Sequence, residues 1–176
     1  MIKTLAIVSG AFLGCAFNWD SAPLLSAKSA TPKVYSFTKD PIWADEFDTP
    51  GLPNEKFWSY DVGGSGWGNN ELQYYTDRAS NIKVENGMLN ITARSEQYMG
   101  KSYTSARIFS KGKFETKYGR IEARIKLPRG KGIWPAFWML GSGLLKGGTW
   151  PDVGEIDILE AKGSMPNYAF GTIHGP

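Results

Sequence analysis

One cysteine and one histidine are all that this chain of 176 residues holds of the two most versatile ligating side chains. Cys15 stands alone, so the folded part can have no disulfide of its own and must rely on packing. There is no basic run: Lys and Arg are scattered and the net charge is only +3, which argues against a nucleic-acid partner. An acidic tail, the mark of a charged partner, is also missing. Beyond the first residues no stretch keeps a helical period, and no internal repeat recurs.

What is present points elsewhere. Hydrophobic residues make up 41% of the chain, enough for a core. Its 21 Gly, 10 Pro, 7 Trp and 8 Tyr suit many short strands joined by turns, with aromatic surface to spare. The N-terminus, MIKTLAIVSGAFLGCAF, has Lys3 and then an apolar run from Leu5 to Phe17. That run is too short for a mature membrane span and suits the apolar region of a secretory signal. A buried core helix is the plainer alternative, and the extreme N-terminal position argues against it. FLG before Cys15 is similar to a lipoprotein cleavage site, though Phe12 fits that pattern poorly. Ordinary cleavage after Gly14-Cys15-Ala16 or near SAKSA stands beside it. The expectation is export, either free or lipid-anchored through Cys15 at the cell surface or periplasm, with no other membrane contact. Residues 1–16 are the expected signal, which could extend to about residue 30, and 17–41 read as a linker.

From Ile42 onward, strand-like runs recur at about ten-residue spacing: IWADEF, FWSYDV, LQYYT, NIKV, MLNITAR, SARIFS, RIEARIKL, IWPAFWML, EIDILE and YAFGTIH. The clearest is RIEARIKL, 120–127, where apolar and charged residues strictly alternate, as in a strand with one buried face. Asn86-Gly87 marks a tight hairpin. Short strands with Gly-rich turns predict an antiparallel sandwich or barrel.

EIDILE carries the chemistry. Glu155, Asp157 and Glu160 crowd one short β-forming run with no cation among them, although like charges on a strand face repel. Glu155 and Asp157 share a face by alternation, whereas Glu160 sits at an odd offset. A β-bulge around Ile158-Leu159 would return it to that face. Paired carboxylates are what a retaining glycosidase uses, one as nucleophile and one as general acid/base, about 5–5.5 Å apart. A central Asp would raise a neighbour's pKa and keep one Glu protonated. A solvated strand face is the plainer alternative.

Trp134 and Trp138 of GIWPAFWMLG share a face if that segment is a strand, where they either stack on sugar rings or sit in the core. Trp67 lies in the glycine-rich GGSGWGNNELQYY beside Asn69 and Asn70, which either read hydroxyls or serve the turn.

These residues lie in ordered blocks: WGNNELQYYT, ENGMLNITAR, YTSARI, GRIEARIKLPRGKGIWPAFWMLG, WPDVGEIDILE and GTIHG. Together they resemble glycoside hydrolase family 16, and within it the bacterial laminarinase-like endo-β-1,3-glucanases, from Ile42 to the last residue. The resemblance implies an all-β jelly-roll sandwich of two curved antiparallel sheets with a glucan in the concave cleft. It implies Glu155 as nucleophile, Glu160 as general acid/base, and Asp157 between them. Trp134 and Trp138 would line subsites, Asn70 and Arg107 would bond sugar hydroxyls, and His174 would approach the catalytic strand; Trp67 joins the expected substrate residues from its place in the glycine-rich loop. No organic cofactor is implied, but a structural Ca²⁺ is, held by Glu46 and the Gly87 carbonyl. The expected partner is a β-glucan polysaccharide and the expected state a monomer. A non-catalytic glucan-binding module, or a same-fold hydrolase of agarose, carrageenan or mixed-linkage glucan, are the alternatives. Residues 42–176 fall short of the roughly 200–250 that such a sandwich commonly takes. The expectation is therefore the N-terminal part of a catalytic domain, lacking C-terminal strands and poorly active alone.

Overall fold

Asp45 shows how local chemistry overrides a strand pattern. Its Oδ1 accepts from the Phe47 backbone N–H at 3.0 Å, an Asx turn that leaves Phe47 at φ 56°. The expected strand IWADEF is therefore absent. Its aromatic side chains instead join a cluster in which Trp43 stacks on Phe114 and meets Phe57 and Trp58 edge-on, while Trp58 Nε1 donates to Asp45 Oδ2 at 2.8 Å.

The computed structural model describes residues 34–176, nearly all of them in a unit spanning Phe37–Pro176. The export signal over 1–16, Cys15 and the linker up to residue 33 lie outside the described residues. Ten strands follow: β1 (Ser59–Asp61), β2 (Gln73–Tyr75), β3 (Ile82–Glu85), β4 (Met88–Ile91), β5 (Arg94–Tyr98), β6 (Lys101–Ser105), β7 (Arg107–Phe109), β8 (Ala136–Leu140), β9 (Glu155–Glu160) and β10 (Phe170–His174). A 3₁₀ turn at Ser142–Lys146 is the one helical element among the described residues. The all-β class is as the sequence led one to expect.

The strands form sheets ordered β10-β9-β8 and β2-β6-β5, with two-stranded pairs β1-β7 and β3-β4. All pairings are antiparallel except β2 with β6, which run parallel, contrary to a purely antiparallel expectation. Asn86 and Gly87, at φ 56° and 68°, make the predicted two-residue hairpin between β3 and β4, and both need the left-handed region that a type I′ turn demands. Met99-Gly100, at φ 47° and 77°, makes a second such turn between Tyr98 and Lys101, which the sequence did not announce.

RIEARIKL forms no strand. Among the described residues no neighbour gives 120–127 a hydrogen-bonded ladder, and Ile121 and Ile125 remain partly exposed. A period of two records which side chains want cover; a strand also needs a partner for its backbone groups.

The buried set is small and half polar: Ile82, Val84, Ala106 and Ala161 with Thr76, Asn81, Thr104 and Asp157. Asn81 organises the polar part. Its Nδ2 donates to the Thr92 carbonyl and to Thr104 Oγ1, at 3.0 and 2.9 Å. Its Oδ1 accepts from Thr76 Oγ1 and Arg78 Nη2, at 2.6 and 2.9 Å. Glu96 then takes hydrogen bonds from Arg78 and Thr104, so β3, β5 and β6 are held by a satisfied network.

Candidate active site

β9 is the central strand of its sheet, and both neighbours report the same irregularity. Against β8, Phe137 faces Leu159 and Trp138 faces Asp157. Against β10, Phe170 faces Glu160 and Thr172 faces Asp157. Both ladders skip Ile158, which is the extra residue of the predicted β-bulge. Directly opposed residues of an antiparallel pair share a face. One face of the sheet therefore carries Glu160 with Ala136 and Phe170, Asp157 with Trp138 and Thr172, and Glu155 with Leu140 and His174. All three carboxylates stand on one side because the bulge restores the phase. The reverse face is apolar and includes Ile156, Met139 and Ile173, with Ile173 80% exposed.

The tight join between β8 and the loop before β9 needs glycine at 141, where the Val153 carbonyl oxygen occupies the space a Cβ would take. Gly141 N donates to the Gly154 carbonyl at 2.8 Å there, which fixes the end of β8 beside Glu155.

Each carboxylate has its own companion. Glu160 Oε1 accepts from the Trp134 indole at 2.9 Å. Asp157, only 7% exposed, has its Oδ2 3.2 Å from His174 Nε2, and that nitrogen lies 3.7 Å from Glu155 Oε1. Burial pushes the pKa of Glu155 above the ordinary glutamate range; the charge of Asp157 adds to this and that of Glu160 adds less. His174 and a hydrogen bond from the Trp150 side chain pull it back. Of the two glutamates, Glu155 is thus the one whose pKa the charge of Asp157 raises.

Trp134 lies just before β8, not within it. It is 50% exposed, which leaves its ring open to a ligand and not packed in a core. Trp138 does lie in β8, and the Arg107 guanidinium sits 4.8 Å from its ring and 5.0 Å from that of Trp67. Trp67, Arg107 and Trp138, three of the expected substrate residues, therefore meet beside Asp157. Asn70 stands exposed at φ 57°, so its backbone serves the turn. Glu46 is exposed between Trp43 and Phe47 of the aromatic cluster, and Gly87 is in the β3–β4 turn; neither belongs to this site.

Trp150 was missed by sequence reasoning. It is 56% exposed, with its ring 5.5 Å from that of His174. The available signal was a tryptophan beside a proline in a glycine-rich loop shortly before Glu155. Asp61, which pairs with Arg107 Nε at 2.9 Å, was missed as well.

A buried Asp between two glutamates, on an open face bordered by exposed indoles, can supply a nucleophile and a proton donor to a neutral ring-shaped ligand. Comparison with known proteins agrees with that chemistry. The family model described as XgeA-like, catalytic GH16 domain, matches residues 67–175. A beta-glucanase of Rhodothermus marinus is 53% identical over 135 residues, covering 76% of this chain and 47% of that protein. Glucan endo-1,3-beta-glucosidase A1 of Niallia circulans is 42% identical over 148 residues, covering 76% of this chain and 21% of that protein. Among solved structures, the laminarinase from Rhodothermus marinus superposes with a TM-score of 0.73 at 53% identity, covering 76% of this chain and 54% of that one. The chain thus spans about half, or less, of the length of the relatives it matches.

Proposed function

The chain belongs to glycoside hydrolase family 16, and from that premise we propose that its protein cleaves internal β-1,3-glucosidic bonds of laminarin-type glucans with retention of configuration. The observation that carries this reading is the bulge at Ile158, which sets Glu155, Asp157 and Glu160 on one face. Glu155 attacks the anomeric carbon and forms a covalent glycosyl ester, while Glu160 protonates the departing glycosidic oxygen. Glu160 then takes a proton from water as that water displaces Glu155 and restores it. Asp157, held by His174, tunes the pair. Trp134 and Trp138 stack on sugar rings, and Trp67, Arg107 and Asn70 complete the saccharide surface. Mixed-linkage β-1,3-1,4-glucan is the second substrate of this reading.

Glu155→Gln tests it on the full-length protein. Release of reducing ends from laminarin should drop at least about a thousandfold while laminarin binding persists. A protein that binds laminarin with no turnover even before substitution would be a binding module, and one that cleaves only agarose or carrageenan would have another substrate.

The reading extends to export, on the strength of the N-terminal apolar run, and to a monomer. It also extends to a structural Ca²⁺ at Glu46 and the Gly87 carbonyl. Hard oxygens suit that ion, although these two supply only part of the roughly 6–8 ligands it takes. A melting temperature raised by Ca²⁺ and lowered by EDTA would support that site, and no response to either would remove it.

A further inference from the structure

Asp61, the last residue of β1, stands directly opposite Arg107, the first residue of β7. Its Oδ2 forms an ion pair with Arg107 Nε at 2.9 Å, and both side chains are partly buried. A guanidinium has five N–H donors; with Nε engaged, the four on the terminal amines are left for other partners. The Trp67 and Trp138 rings flank the same guanidinium, at 5.0 and 4.8 Å. Trp67 is itself held by donation from Nε1 to the Gly63 carbonyl at 3.3 Å, and Trp138 faces Asp157 across the β8–β9 ladder. The guanidinium is thus ion-paired at Nε and lies against two indole rings, one of them the cross-strand neighbour of Asp157.

Charge decides what the terminal amines prefer. An unpaired guanidinium is an excellent receptor for sulfate or carboxylate, which it binds bidentately. Paired with Asp61 at hydrogen-bond distance, it retains its donors and loses most of its attraction for anions. Neutral hydroxyls accept N–H bonds without needing net charge.

We infer that Asp61 is a positioning residue of the saccharide site: it fixes the edge of Arg107 and offsets its charge, so that the terminal amines meet adjacent hydroxyls of a neutral sugar in preference to a sulfated or carboxylated one. This inference rests on the β-glucan reading above and names what restricts that site to uncharged glycans.

The test compares Asp61→Asn with the parent in the full-length protein, using laminarin as substrate and dextran sulfate as anionic competitor. Asn keeps an oxygen for Nε and removes the charge. KM for laminarin should rise about fivefold with kcat within about twofold, and dextran sulfate should inhibit about tenfold more tightly, a gain that 0.5 M NaCl erases. A purely structural Asp61 would not create that salt-sensitive inhibition. Unchanged KM together with unchanged inhibition overturns the inference, as does a fall in kcat at constant KM. If Asp61→Asn does not fold, Asp61→Glu, which keeps the charge, should keep the parent's weak response to dextran sulfate; tighter inhibition there also overturns it. A parent that neither cleaves nor binds laminarin removes the glucan reading itself, whereas a parent that cleaves it with Asp61→Asn indistinguishable removes this inference alone.

Discussion

Trp138 lies directly opposite Asp157, although its neighbour Phe137 lies opposite Leu159: one step along β8 answers two along β9. That mismatch makes the number of residues between the carboxylates, and not the identity of Ile158, the controlled quantity. Deleting Ile158 leaves Glu-Ile-Asp-Leu-Glu, a regular alternation that keeps all three acids on one face. Deleting Ile156 puts Glu155 on the reverse face. The first deletion should retain measurable laminarin cleavage, reduced about a hundredfold by displaced geometry. The second should abolish it. Equal loss in both, with both folded by circular dichroism, would remove the phase argument.

The raised pKa of Glu155 gives a pH signature. A nucleophile must be ionised, so the acid limb of kcat/KM should lie above the usual glutamate value of about 4.3. Asp157→Asn removes a like charge and should move that limb to lower pH, while burial still keeps it above the ordinary value. Stability follows the same linkage. A raised carboxyl favours folding fully below the ordinary value and loses that contribution as pH rises through the folded value. Glu155→Gln should therefore melt near the parent in acid and increasingly above it toward neutrality. An acid limb unmoved in Asp157→Asn would count against the coupling.

Trp134 does two jobs that substitution can separate. Phe retains a stacking ring and loses the N–H that donates to Glu160; Ala loses both. Trp134→Phe should lower kcat about tenfold with KM nearly unchanged. Trp134→Ala should also raise KM, about 3- to 10-fold, for the lost stacking. If Phe changes KM alone, the contact with Glu160 has no part in the chemistry.

Asn81 governs stability remote from the site. Replacing it with Ala removes its four hydrogen bonds, to Thr92 O, Thr104 Oγ1, Thr76 Oγ1 and Arg78 Nη2, at a cost of about 3 kcal/mol by urea denaturation. Hydrogen bonds from Thr104 and Arg78 hold Glu96 below the usual carboxylate range. Its contribution is present above the ordinary glutamate value and fades as pH falls through the lowered one. Glu96→Gln should thus flatten the acid side of the stability profile.

How much of this could be read from the residues depends on what each signal encodes. The bulge was legible because three acids at an odd offset make sense on one face only with an extra residue. The Asn86-Gly87 hairpin was legible because few residues tolerate its dihedral angles. RIEARIKL misled because alternation records a wish for burial and not the presence of a pairing partner. The network around Asn81 was invisible: a buried Asn or Thr looks like a surface residue until its partners, far along the chain, are brought to it. Trp150 and Asp61 were missed for the same reason, since neither lies on a periodic face and their roles arise only from contacts with His174 and Arg107.

His174 is the one histidine of these 176 residues, and it sits against both Asp157 and Glu155. In a proton spectrum of this 176-residue chain its ring C–H protons should therefore give a lone imidazole signal, assignable without isotope labelling or mutagenesis. The chain thus carries an intrinsic spectroscopic reporter on its carboxylate face, able to register a sugar's arrival with no label added.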